Sequence, residues 1–527
     1  MQGRKAISKT KTKLTKDNLM NSHYCKPSCE QNHCITRNVT APFPQKVEKL
    51  PKKNPKNEPP NLESAAFIRY IEDFRLHKIL GSLPDMRQAS RCNYFISSLA
   101  MWAFSVCAFR QGSKNAMQTS IESISDPKNK EAIIRLLNIE NQESIPHSSV
   151  VDDALSKIEC MEFNSILLKM FDRLINQKFF YHNQDKLLPY HTFQIGMDGF
   201  WTHHYVEPHA KDKEGNNICP YCLPRVHNKG ALNQYTTYVH VMVTCVLICG
   251  NLTLPFYVYP LKNNQVQEGQ NDNALKEQCE LIAAHEILPF LRQRYPKLSF
   301  TFLGDSLYAN QQFVSLCNKL KMDYVIVLKE GSQKNLNKSC DKLGQTEIYQ
   351  KHHTCQETVQ DGGKKMIRSA AWFNSAAMGE VFTNVLRFEE SIAQDDGTLN
   401  ALYKGAWICS KKISQNNCFK RAKQGRSRWY HEDFHNTLKR RGYDIKHDMA
   451  RTDPNLLMVW KMMMFIAFFV IELFMHTATA QKLQNTRSCM KFAKDMLQQL
   501  LEKSWKVISN SAILTKPRVQ FRFDFSP

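Results

Sequence analysis

Two apolar, strand-like runs in this chain each end in an aspartate: FQIGMDG at Asp198 and FTFLGD at Asp305. From residue 191 the hydrophobic pattern changes from a three-four repeat to runs rich in β-branched and aromatic residues. FQIGMDG, YTTYVHVMVTCVLIC and LTLPFYVYP read as three consecutive strands. A helical stretch, ALKEQCELIAAHEILPFLRQRY, leads to strand SFTFLGD. A second, NQQFVSLCNKLK, leads to strand DYVIVLK. The predicted order is β-β-β-α-β-α-β, an α/β arrangement.

That order matches a ribonuclease-H-like core, a mixed sheet flanked by helices in which the first and fourth strands lie side by side. Adjacent strand ends would bring Asp198 and Asp305 together although they are 107 residues apart. The rest of the chain divides around this core. Residues 1–60 hold 13 Lys/Arg, four Asp/Glu and seven Pro. Such a tail buries too little apolar surface to offset its ordering entropy, so disorder is expected until it meets DNA. Residues 61–190 read as a helical N-terminal domain for DNA binding or dimerisation, or for packing alone. Residues 191–337 form the first part of the core, with a Cys/His loop at 203–234. EIYQKHH, MIRSAAWFN, EVFTNVLRFEE and LNALYKGAWICS read as strands of a β-rich insertion over 338–420. Residues 421–480 complete the core, and 481–527 form a basic C-terminal region.

RSRWYHEDFHNTLKRRGYDIKH, Arg426 to His447, reads as helical and sets Arg428, Glu432 and Lys439 at spacings of four and seven. At roughly 100° per residue those steps return to one helix face. Two strand-end aspartates and a helical glutamate are the parts of a two-metal phosphoryl-transfer site, with two Mg²⁺ (or Mn²⁺) ions held by Asp198, Asp305 and Glu432. Arg428 and Lys439 fit as phosphate contacts, one a bidentate fork and the other a point charge. Taken singly, each acid is more simply a turn or surface residue. Together, in this order and on these elements, they favour the metal site.

IGMDGFW, LGDSLYANQ and RWYHEDFHNTLKRRGYDIKH resemble the catalytic segments of insertion-sequence DDE transposases, in the group with a Tyr-Arg-Glu-Lys signature of spacing Y-x2-R-x3-E-x6-K. Arg428, Glu432 and Lys439 meet that signature; its tyrosine position is Gly425. QEGQNDNALKEQCE and GYDIKHDMARTDPNLLMVWKMM are similar to flanking segments of the same group, and the likeness spans about residues 62–480. It implies a DNA transposase that binds terminal inverted repeats as a homodimer, cleaves a strand and transfers it to target DNA. Relatives with a β insertion stack a flipped base on an insertion tryptophan. Trp372 and Trp407 lie in the matching region, as base-stacking or as core residues. Asp433, beside Glu432, is a weaker candidate for the third acid.

Lys+Arg 71 against Asp+Glu 49 gives a net charge of +22, which favours a polyanionic partner such as double-stranded DNA. The opening MQGRKAISKTKTK has no apolar core, so no secretory signal is read, and a cytoplasmic, nucleoid-associated location is expected in a bacterial host. The 17 cysteines are then reduced thiols or metal ligands rather than a disulfide framework. Lys461 and Glu472 leave ten uncharged residues in the most apolar run, Leu456 to Phe474, so a buried helix and no membrane span is expected. Cys219 and Cys222 with His227, and His209 or His240, have the chemistry of a structural Zn²⁺ site; a polar loop with free thiols is the alternative. A weaker zinc pattern, Cys25, Cys29, Cys34, His23 and His33, lies in the tail. Two other functions remain open: a ribonuclease-H-fold nuclease acting on structured DNA, and a non-catalytic DNA-binding protein derived from a transposase.

Overall fold

The computed structural model describes residues 62–139, 144–265, 272–361, 364–393, 398–450, 452–517 and 519–525. The tail and its Cys/His pattern lie outside the described residues. The strands are β1 (Phe193–Tyr205), β2 (Leu223–His227), β3 (Tyr235–Cys249), β4 (Leu252–Pro260), β5 (Phe300–Gly304), β6 (Asp323–Val327), β7 (Thr354–Asp361), β8 (Lys364–Met378), β9 (Val381–Ala393) and β10 (Leu399–Cys409). They form one mixed sheet flanked by helices, in the order β2-β3-β1-β5-β6-β10-β9-β8-β7, with β4 also on β3.

The long strands β1, β3 and β4 pair antiparallel. Short β5 and β6 run parallel to β1 and to each other. Every residue of β5 is buried, as expected for a parallel strand covered on both faces. Each parallel step returns through a helix, first α1 (Asp272–Arg294) and then α2 (Gln311–Lys319). The β-rich insertion continues this sheet: β10 pairs antiparallel with β6, and β9, β8 and β7 follow as a meander.

EIYQKHH is not the strand expected. Glu347–His352 is a short helix, and β7 begins only at Thr354. Six residues carry too little periodicity to separate the two states. Tyr349 stacks on Phe373 of β8, centroids 5.0 Å apart, which the helical turn permits. The stretch from Arg426 to His447 is also broken. α3 (Cys418–Arg426) ends before Ser427, α4 (Trp429–Arg440) carries Glu432 and Lys439, and Gly442 has φ +83 beyond its end. The Ser427 hydroxyl turns back to Gln424 O (2.6 Å) and also reaches Gln194 Oε1 on β1 (3.1 Å), which holds the break against the sheet.

The core centres on α5 (Pro454–Met475). Asp453 caps it by accepting from Leu456 N at 2.9 Å, with Pro454 in the first turn. α5 has the length and a mean hydropathy, 2.1, sufficient to cross a membrane, but 94% of its apolar window is buried inside the fold. Burial, rather than shortness, is what marks it as a core helix. It packs against Ile96–Ala108, Phe163–Asn176 and β4. The C-terminal helix Cys489–Glu502 folds back on Glu63–Asp73, with Arg487 bonded to Glu63 (2.7 Å) and Gln499 to Ser64 (3.0 Å). Residues 59–527 make one compact unit.

Candidate active site

β1 and β5 are paired so that Phe193 faces Phe300 and Gly196 faces Leu303. The paired residues end there; the same offset carried on by two residues leads to Asp198 and Asp305, whose charges both bear on Tyr308. Asp305 directly follows the end of β5, but Asp198 lies inside β1, which runs on to Tyr205, so the first run does not end at its acid as expected. Asp305 opens a 3₁₀ turn, Ser306–Tyr308, and its Oδ1 accepts from Leu307 N at 2.9 Å. Oδ2 lies outside that bond.

α4 docks on β1 and β3 through two histidines. Thr244 of β3, the pairing partner of Asp198, places its hydroxyl 2.9 Å from His431 Nε2 and 2.8 Å from His435 Nε2. His435 Nδ1 faces Asp198 Oδ2 at 3.6 Å. A hydroxyl has one proton to give. Thr244 Oγ1 also donates to Asp198 O at 3.3 Å, and with its proton used there it can accept an Nε2–H from each imidazole. The close approach needs Gly196, where a Cβ would lie 3.0 Å from His431 Nδ1. His431 and His435 are 1% and 5% exposed. The sequence reading missed both, although their i,i+4 spacing on α4 was visible.

Glu432 stands one turn before His435, on the neighbouring stripe of α4. Its Oε1 accepts from Arg428 Nη2 at 2.9 Å. Arg428, Glu432 and Lys439 are all partly buried along that stripe, whereas Asp433 is exposed and pairs with Arg441 at 3.8 Å. Asp433 thus faces away from Asp198 and is set aside as the third acid. The oxygens of Asp198, Asp305 and Glu432 are not gathered within 4.8 Å of one another. A pair of metal ions about 3.5–4 Å apart does not require that, since each acid can serve a different side of the pair.

Tyr308 is fully buried, and among the described residues its hydroxyl has no hydrogen-bond partner. Burial, then the negative charges of Glu280, Asp305 and Asp198, raise this phenol well above its ordinary value, so it keeps its proton. Glu280 of α1 is 2% exposed and lies against Gly199, where a Cβ would be 3.1 Å from its Oε1. It is a further acid near the strand ends that the sequence reading passed over.

The insertion tryptophans are corrected. Trp372 and Trp407 are 4% and 1% exposed, so neither offers a free ring face for a base. Trp407 instead covers Gly425, and a Cβ there would collide with its indole. The signature tyrosine position is occupied by the tryptophan's own packing. α3 is fixed to the insertion through Glu390, which accepts from Arg368 (2.8 Å) and Arg426 (2.7 Å). Burial pushes the Glu390 carboxyl up, but the two arginine hydrogen bonds outweigh it and hold it below the usual range. The insertion does expose one ring, Phe382 of β9 (70%), and next to Glu432 the rings of Trp429 (63%) and Tyr430 (40%) are exposed in the first turn of α4.

In the Cys/His loop, His240 Nε2 lies 3.4 Å from Cys219 Sγ and 3.2 Å from Cys222 Sγ. His209 joins them and His227 does not. His227 stacks on Tyr235, bonds Thr237 Oγ1 at 2.8 Å and sits on β2, so its expected place in the set is overturned. Hydrogen bonds from Cys222 first, then from His209 and His240, outweigh burial and lower the Cys219 thiol.

No protein-family model matches this chain, and no curated protein matches it.

Proposed function

We propose that this chain is a DNA transposase with a ribonuclease-H-like core, acting on double-stranded DNA as a homodimer that holds transposon ends and target. The observation that carries the reading is the parallel pairing of β1 with β5, whose offset leads to Asp198 and Asp305, with the Glu432 helix seated on β1 through His435. The order β4-β3-β1-β5-β6, three antiparallel strands followed by two parallel ones, supports it. So does the net charge of +22, which suits a phosphate-rich partner.

The residues fit a pair of hard cations, since carboxylate oxygens on one strand, at the end of another and on a helix are the donors that Mg²⁺ or Mn²⁺ prefers. When bound, the two ions supply water or 3′-hydroxyl activation and stabilisation of the leaving oxygen. Asp198, Asp305 and Glu432 hold that charge in place. His435 orients Asp198 from behind, as an outer partner orients a ligating group. Arg428 and Lys439 position phosphates along the α4 stripe rather than read bases. Arg428 is available to DNA only if it leaves Glu432, so the pair acts as a placeholder until substrate arrives. With both insertion tryptophans buried, the exposed rings left to stack on an extruded base are Trp429 beside Glu432 and Phe382 in the insertion.

The test is Mg²⁺-dependent cutting of DNA carrying the sequences that flank this reading frame. Cuts at matched inverted ends support a transposase. Cutting that follows branched structure and ignores the ends would favour the nuclease reading.

A further inference from the structure

We propose that His209, Cys219, Cys222 and His240 form a structural zinc site that fastens the end of β1 to the segment following α4. The site stands whether or not the chain cleaves DNA.

Zinc bound at about 2.3 Å from sulfur and 2.0 Å from nitrogen, in a tetrahedron, sets neighbouring sulfur and nitrogen ligands about 3.5 Å apart. The sulfur-to-nitrogen separations here are 3.4 and 3.2 Å. The ligand atoms of His209, Cys219 and His240 all lie within 4.8 Å of one another. Among the described residues no other group of three or more His, Cys, Asp or Glu meets that condition. Cys219, Cys222 and His240 are fully buried.

The imidazole of His209 is already oriented for the task. Its Nε2 meets Ala450 O at 3.2 Å, and a carbonyl can only accept, so Nε2 carries the proton. Nδ1 then holds the lone pair, buried and turned toward Cys219. A metal would take that lone pair together with the Cys219 sulfur. The Nε2–H to carbonyl contact is the usual outer support of a ligating histidine. Cys222 Sγ also accepts from His209 N at 3.2 Å, which ties the CPYC turn to His209.

The consequence reaches α4. Ala450 belongs to the segment that follows that helix. Tyr205, at the end of β1, donates to Asp448 Oδ2 of the same segment at 2.7 Å. The metal would therefore close a loop between the strand that carries Asp198 and the chain that leaves Glu432.

The full chain, purified without added chelator, is assayed for zinc by elemental analysis and for zinc released by a mercurial thiol reagent. The expected result is a stoichiometric ion released on thiol modification, and cobalt exchange giving the absorption of tetrahedral thiolate ligation. Cys222→Ser and His209→Ala should each lose this ion, while His227→Ala keeps it. If a variant fails to fold, the wild-type release and the cobalt spectrum still decide. Folded wild type without metal, or with a Cys219–Cys222 disulfide, overturns the proposal. So does full zinc retained by a Cys219→Ser, His240→Ala double variant, which would place the ion elsewhere in the chain.

Discussion

His435 Nδ1 lies 3.6 Å from Asp198 Oδ2, across the junction between α4 and β1. Through that contact the helix carrying Glu432 sits against the strand carrying Asp198. The histidine touches the acid, not the substrate, so it is a positioning residue. His435→Ala is expected to lower metal-dependent cleavage by about 10–100-fold while leaving DNA affinity close to wild type. His435→Asn, which keeps a donor near Asp198, should recover part of the loss. Equal losses in both variants would reduce the role to packing. Cleavage rates with parallel binding curves decide this.

Gly425 marks the one departure from the Tyr-Arg-Glu-Lys signature, and the indole of Trp407 explains it. Gly425→Ala should destabilise the fold by about 1–3 kcal/mol, the usual range for overpacking a full interior. Trp407→Phe in the same chain should relieve part of it. Urea unfolding of the two single variants and the double variant measures the coupling. Simple additivity would show that the two positions do not compete for space.

Lys461 makes a prediction about pH. Its ammonium is fully buried on α5, bonded to Ile445 O, to His447 O at 2.9 Å and to Asp448 at 3.4 Å, with the Tyr205 hydroxyl on the far side of Asp448. Burial lowers it from 10.5 to about 8, partly countered by Asp448. The folded state then binds fewer protons than the unfolded state between those two values. Stability referred to this group rises with pH across that window and is lost as pH falls through the lower value. Measured against Lys461→Met, the wild type should gain up to about 3 kcal/mol between pH 8 and pH 10.5. A flat difference across that range would mean that the lysine is not held below its ordinary value.

Glu432 and Asp433 are adjacent in sequence but opposite in setting: one is partly buried against Arg428, the other exposed toward Arg441. Asp433→Ala should leave cleavage within about twofold of wild type, in keeping with a surface ion pair of small energetic weight. Glu432→Ala should abolish cleavage. The opposite ranking in a single-turnover assay would reassign the third acid.

Much of the site could be read in the chain because its parts obey short-range rules. The apolar runs gave β1 and β5, though β1 runs past Asp198 to Tyr205, and the helix before β5 allowed its parallel return beside β1. The remainder depended on distant packing. Nothing near Trp407 in sequence says that Gly425 will lie beneath it. Which of His209 and His227 turns inward depends on where Ala450 runs. The break at Ser427 follows from a bond to Gln194, 233 residues away. His431 and His435 resemble any pair of polar residues on a helix until Thr244 is placed between them.

The central claim is that Asp198, Asp305 and Glu432 act together on a phosphodiester bond. The most direct measurement is single-turnover cleavage of end-bearing DNA in Mg²⁺ by wild type and by the three alanine variants, each checked for DNA binding. The account predicts strand cleavage by wild type alone, with binding retained by all four. Normal cutting by any one of the alanine variants would contradict it, as would wild type that binds the ends and cuts in neither Mg²⁺ nor Mn²⁺.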